Sequence, residues 1–321
     1  MLAQGNVFIK ELLRSRGIRI GTTKADFEEN MIRAIQSGEL QRVHVDWWLK
    51  EVEGWGDQHI YLFNVSKSVR DDPMWSNPKT IESKIKAAGF AKEWGSRSSL
   101  EYPSAQTLTG VHFEDGALTF VWHKGLDLWV RAKAKDHKEE EEGDIYEYRA
   151  YRMRGDRIVT RFQLRPTDGL AAIFVQIAVD DEEHKTAVET VKRTVERCWS
   201  FDEFTPTSIA NAIKKLDNEA LNSESITAQS TRLNSGAAYV EFGASSARSG
   251  YVDSTAVRDV RRSVRQGSFT GTNGRYIVPV ATEEQAGRRV RVQMYGRERR
   301  IKIASQMTAE QVWSVLGLVT S

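Results

Sequence analysis

The chain has 321 residues, 40 % of them hydrophobic and 28 % charged, an ordinary balance for a folded protein and enough length for two or three cores. Its 46 basic residues against 44 acidic ones leave a net charge of only +2, which excludes wholesale coating of a polyanion and confines any such contact to local patches. The single cysteine, Cys198, excludes a disulfide framework and a cysteine-rich zinc site and suits a reducing compartment. Met1–Lys10 carries no long apolar core, so no secretory signal is expected. The longest apolar stretch, Leu170–Val179, is interrupted by Gln176 and is too short to span a bilayer. An intracellular protein of the cytoplasm, nucleoid or nucleus is therefore expected, without membrane contact.

The first readable pattern runs over residues 8–35. Phe8, Ile9, Leu12 and Leu13 fall at helical spacing, and Gly17 ends that helix. Ile18 and Ile20 make a short extended link. Gly21-Thr22-Thr23 then opens a second helix with an apolar stripe of Phe27, Met31, Ile32 and Ile35. A helix N-terminus presents unpaired N–H groups and a partial positive charge, which suit a phosphate. Arg14, Arg16, Arg19, Thr22, Thr23 and Lys24 surround this turn.

These residues resemble the SAP family, a small helix–extended–helix DNA-binding module. The likeness rests on Leu12, Leu13, Arg16-Gly17-Ile18, the run GTTKADF from Gly21 to Phe27, and Met31-Ile32. The seven-residue step from Gly17 to Lys24 also matches. Phe27 stands where that family usually has leucine, and Asn30 where it often has arginine. The resemblance covers residues 8–36, and no family is recognised in the rest of the chain. It implies duplex DNA as partner, held through phosphates without readout of sequence.

Downstream, Gln41–Val52 fits either a strand or a short helix, and Gln58–Val65 reads as a strand. Asn77-Pro78 starts a helix lined by Ile81, Ile85 and Ala88 and ended by Gly89. Residues 117–165 alternate most clearly, through Leu118, Phe120 and Trp122, then Leu126, Leu128 and Val130, then Ile158, Phe162 and Leu164. This predicts an antiparallel meander with one apolar face. Asp136–Asp144 reads as a charged, solvated loop and Arg154-Gly155-Asp156 as a turn. Leu170–Val179 reads as a buried strand, Asp180–Trp199 as an amphipathic helix, and Thr207–Leu216 as a shorter helix. The polar run Asn222–Gly236 is the expected linker.

Beyond it the chain turns basic. From Arg248 to Ala304 there are 12 arginines and one lysine against five acids, a balance of 13 − 5 = +8. A helix over about Ser254–Gln266 would gather Arg258, Arg261, Arg262 and Arg265 on one side. Tyr276–Val280, Arg289–Tyr295 and Arg299–Ala304 read as strands, and Thr308-x-x-Gln311 is a capping box before a last helix. Arginine forks hold phosphate in a bidentate way, so Arg297, Arg299 and Arg300 join the helix arginines as candidate DNA contacts. A secondary candidate is the polar meander face, with Trp129, Arg131, Lys133, Arg157 and Arg161 as a basic, aromatic surface.

Enzyme signatures are poor. The six histidines are scattered, and the chain has no HExxH, Walker A, G-x-G-x-x-G or G-x-S-x-G motif. Asp115, Asp127 and Glu147 would have to converge to serve a nuclease. No catalytic residue, metal or cofactor is expected. The fold class is a multidomain α+β protein: a SAP-like helical module over 1–38, a central domain over 39–221 with an antiparallel meander and flanking helices, a linker over 222–236, and a smaller arginine-rich α+β domain over 237–321. The expected function is non-catalytic DNA binding. The alternatives are an assembly subunit of a chromosome-associated or phage-defence complex, with protein partners, and a nuclease.

Overall fold

A computed structural model describes residues 5–96, 102–176, 181–213, 226–233, 239–243, 259, 269–279 and 289–320. Three helices come first: α1 (Asn6–Ser15), α2 (Lys24–Ser37) and α3 (Arg42–Val52). The ambiguous segment at 41–52 is thus a helix. Ile9, Leu12, Leu13, Ile18, Phe27, Met31, Ala34 and Leu40 form a core of their own, against which Val45 and Trp48 of α3 pack. The Trp48 indole donates to the Phe8 carbonyl at 3.2 Å. The inward stripe of α2 is Phe27, Asn30, Met31 and Ala34, whereas Ile32 and Ile35 are about half exposed. Positions 27, 30, 31 and 34 follow the 3.6-residue period from Phe27, and the expected stripe drifted off it.

The rest is built on one large antiparallel sheet. Its strands are β1 (Gly56–Val65), β2 (Thr107–Glu114), β3 (Ala117–Arg131), β6 (Tyr151–Arg165), β7 (Leu170–Gln176), β8 (Phe204–Pro206), β9 (Ile226–Leu233), β10 (Tyr239–Gly243), β11 (Phe269–Pro279), β12 (Arg289–Tyr295) and β13 (Arg300–Gln306). The order across the sheet is β10-β9-β11-β12-β13-β1-β7-β6-β3-β2, with β8 beside β1 beyond the end of β13. A separate two-stranded hairpin joins β4 (His137–Glu141) to β5 (Asp144–Tyr148). Further helices are α4 (Lys67–Arg70), α5 (Pro78–Ala87), α6 (Asp181–Val195) and α7 (Ala309–Thr320), and residues 209–213 are also helical.

Strand alternation sends each side of β1 into a different core. Ile60 and Leu62 join Trp55, Phe174, Tyr276, Val292, Ile301 and Ile303, under Val312, Val315 and Leu316 of α7. Phe63 and Val65 join Phe120, Trp122, Phe162 and Ile173, under α5 and α6. Thr308 and Gln311 form the expected capping box at α7, with reciprocal bonds of 3.1 and 3.3 Å.

Four expectations change. The Asp136–Asp144 run is no loop, because β4 and β5 pair from His137↔Tyr148 to Glu141↔Asp144. Glu142 and Gly143 both take positive φ (54° and 90°), as the tightest hairpin turn requires. Arg154-Gly155-Asp156 lies inside β6, paired with β3 through Asp127↔Gly155 and Leu126↔Asp156. The stretch expected as a linker contains β9, which pairs with β10 and β11. No break in the sheet separates the expected central and C-terminal parts, since β13 pairs with β1. The expected helix over 254–266, apart from Asp259, lies outside the described residues.

Candidate nucleic-acid interface

The entrance to α2 is at the surface, and Arg14, Arg16, Arg19, Thr22, Thr23 and Lys24 are all exposed. Three of its amides, those of Thr22, Thr23 and Asp26, are however engaged. The Thr23 hydroxyl accepts from the Asp26 N–H at 3.2 Å. The Asp26 carboxylate accepts from the Thr22 and Thr23 amides at 2.7 and 2.8 Å. Those backbone bonds, Thr23 first, hold the Asp26 carboxyl below the usual carboxylate range. The entrance is therefore a closed capping box carrying its own negative charge. What faces solvent for a phosphate is the surrounding set of cationic side chains.

The secondary candidate surface is not assembled as expected. Arg157 is buried and makes a bidentate pair with Glu53, at 2.6 Å from Nε and 2.5 Å from Nη2. Arg161 is also buried, donates to the Glu53 carbonyl and stacks 4.6 Å over the Trp55 ring. The meander's second face here is covered, because the segment from Glu53 to Trp55 closes over it. Neither arginine is open to a polyanion.

The other three residues, Trp129, Arg131 and Lys133, lie on or beside an arm. Beyond the reach of β2 and β7, the outer halves of β3 and β6 pair only with each other, through Trp129↔Met153 and Arg131↔Tyr151. Trp129, Met153 and Tyr151 are 69, 59 and 53 % exposed. The Arg131 guanidinium lies over Tyr151 and is tied to Asp136 and to the Ala150 carbonyl. The hairpin beyond carries Glu139, Glu140, Glu141, Glu142, Asp144 and Glu147.

A basic face does exist elsewhere on the same sheet. Residues directly opposite on neighbouring strands share a face. One row across β11, β12, β13 and β1 is Asn273, Tyr295, Arg300 and Tyr61, and the next is Arg275, Gln293, Lys302 and His59. Arg291 lies two residues from Gln293 on the same side of β12. Arg275 and Arg291 are exposed, and Tyr295, Arg300 and Lys302 half-buried. The opposite side of these strands is sealed through Tyr276, Val292, Met294, Ile301 and Ile303. The Arg300 guanidinium lies 4.5 Å over the Tyr295 ring and binds Glu298 at 2.5 Å. Arg297 and Arg299 are exposed in the turn between β12 and β13. Sequence reasoning missed Arg275, Arg291 and Lys302, although the alternation RVRVQMY and RIKI carried the signal. Arg258, Arg261, Arg262 and Arg265 lie outside the described residues.

No protein-family model matches the chain, and no curated protein matches it.

The carboxylates considered for a nuclease do not meet. Asp115 sits in the turn before β3, whereas Asp127 lies on the outer half of that strand, about 40 Å along it at roughly 3.3 Å per residue. Glu147 is on β5. No group of three or more metal-ligating side chains occurs among the described residues. Burial pushes the Cys198 thiol up to about 11, which disfavours the nucleophilic thiolate. No helix among the described residues is long and apolar enough to cross a membrane.

Proposed function

We propose that the protein binds duplex DNA without catalysing a reaction on it. It grips phosphates through the SAP-like N-terminal module and a C-terminal arginine-rich surface, largely independently of base sequence. The observation that carries this reading is the sheet face around β12 and β13. Arg275, Arg291, Arg300 and Lys302 converge there beside Tyr295, while the other side of the same strands is core. At the N-terminus the contact comes from Arg14, Arg16, Arg19 and Lys24, because Asp26 already occupies the Thr22 and Thr23 amides. Two weak surfaces on one chain raise each other's effective concentration, so neither need be strong alone.

The test is a binding series with unrelated duplexes, single-stranded DNA and RNA across salt, with and without Mg²⁺. Wild-type affinity is expected to fall steeply with salt and to vary little with sequence. Replacing Arg16 and Lys24 together by alanine should weaken all duplexes alike and lower the salt slope by about 1.8, at about 0.9 per lost phosphate contact. Unchanged affinity at low salt would refute the N-terminal contact, and strand cleavage with Mg²⁺ would refute the non-catalytic reading.

A second reading, an assembly subunit, is favoured by the arm. Its exposed Trp129, Tyr151 and Met153 are of the kind that anchors protein interfaces. Absence of any shift with DNA or RNA at low salt would put this reading first.

A further inference from the structure

The arm, made of the outer halves of β3 and β6 with the β4–β5 hairpin beyond them, gathers exposed apolar surface. Of the 12 large hydrophobic side chains that stand exposed among the described residues, seven lie between Leu128 and Met153. Trp129 and Met153 are directly opposite each other, and Tyr151 lies two residues along on the same side. Exposed apolar residues scattered singly need no explanation, but a concentration of this kind marks an interaction surface. Every residue of β4 and β5 is exposed as well, so no described segment covers the hairpin. Two strands by themselves are marginal in water unless something packs on them. The hairpin is nonetheless held at a fixed joint. The Asp136 carboxylate accepts from the Ala150 amide at 2.9 Å and pairs with Arg131, which also donates to the Ala150 carbonyl.

Charge is segregated along this arm. The stem, residues 126–136 and 149–156, has six basic residues against three acids, 6 − 3 = +3. The tip, residues 137–148, has one lysine against six acids, 1 − 6 = −5. Some of this is matched internally, Arg131 by Asp136 and Arg149 by Glu147. The rest is not. Glu139, Glu140, Glu141 and Glu142 at the tip, and Lys133, Lys135 and Arg152 on the stem, are exposed and form no ion pair among the described residues. Two copies with their arms side by side in one direction would set tip against tip. A two-fold axis across the arms reverses one of them. Each acidic tip then lies beside the other copy's basic stem, and the same contact is made twice.

We propose that the arm joins a second copy of this chain, the two arms lying antiparallel about a two-fold axis. This names the partner for the assembly-subunit reading, on which it rests, and it does not depend on DNA binding.

The experiment is sedimentation equilibrium of the full chain up to about 0.1 mM, with two reversed variants. One carries Glu139→Lys, Glu140→Lys, Glu141→Lys and Glu142→Lys, and the other Lys133→Glu, Lys135→Glu and Arg152→Glu. The wild-type chain is expected to dimerise, and each reversal to weaken its own dimer at least about tenfold. An equal mixture of the two variants should pair again, because a positive tip then meets a negative stem and the converse. A chain carrying both sets should pair with itself for the same reason. These recoveries separate lost complementarity from lost fold. A wild-type chain that is monomeric at that concentration overturns the self-pairing alone. A dimer that neither reversal weakens overturns both the self-pairing and the arm as an interface. A dimer weakened by the tip reversal only, or two reversed chains that fail to pair with each other, overturns the tip-to-stem contact.

Discussion

The buried pair of Glu53 and Arg157 shows how far a residue's role depends on its surroundings. Their side chains are 9 and 4 % exposed, so neither charge has water to fall back on. Removing one partner of such a pair strands the other and costs about 3–5 kcal/mol. Glu53→Gln should lose that much in urea denaturation. Arg33→Gln, which breaks an exposed pair with Glu29 (side chains 62 and 73 % exposed), should change stability by less than about 1 kcal/mol. The histidines give a second residue-scale expectation. Burial, then Arg157 and Arg161, push His123 down to about 3. Burial, then Arg300, push His59 down to about 3. Each folded-state value lies below that of an unfolded histidine, near 6.5, so unfolding takes up protons. Stability from both groups is full above about pH 6.5 and declines as the pH drops towards about 3. Denaturation midpoints measured across that window should fall, and should fall less in His123→Gln.

At the scale of elements, local grammar was legible wherever neighbours in sequence decide the outcome. Thr23 and Asp26 cap α2, Asn77 caps α5, and Thr308 and Gln311 cap α7, all through bonds spanning two or three residues. The β4–β5 hairpin is hidden in the sequence because His137–Glu141 has no apolar alternation, and its local signal is the Glu142-Gly143 turn pair alone. Gly56 marks the other kind of case, in which a distant strand decides. Its φ is +73°, and a Cβ there would meet the Ser305 carbonyl at 2.0 Å, where β1 joins β13. Gly116 has the same φ of +73° but nothing within 4 Å. Gly116→Ala should therefore cost about 1 kcal/mol for its backbone alone. Gly56→Ala should cost at least about 2 kcal/mol more, because strand pairing must also shift. Equal losses in urea denaturation would contradict the close approach.

At the scale of the whole molecule, the sheet joins parts that composition separates. Trp55, Ile60, Leu62 and Phe174 share a core with Tyr276, Val292, Ile301, Ile303 and α7. A chain ending at residue 221 should expose those side chains and leave the β1 edge without β13, an invitation to aggregate. Its thermal melt should lose cooperativity, and size-exclusion chromatography should show aggregates. A monomer melting at the full-length midpoint would mean that the C-terminal strands merely rest on a self-sufficient domain.

Periodicity and capping chemistry by themselves determined the α+β class, most of the helices and strands, and the basic character of the C-terminal third. Each of these depends on residues within a turn or two of each other. Which face of a strand stays wet, and which cation is covered, depended on the partner strands and covering segments. Arg157 and Arg161 look no different in sequence from Arg291 and Arg300. Only the tertiary structure places Glu53 and Trp55 over the first pair, while Arg291 stays exposed and Arg300 half-buried, since those covering contacts join residues more than 100 positions apart.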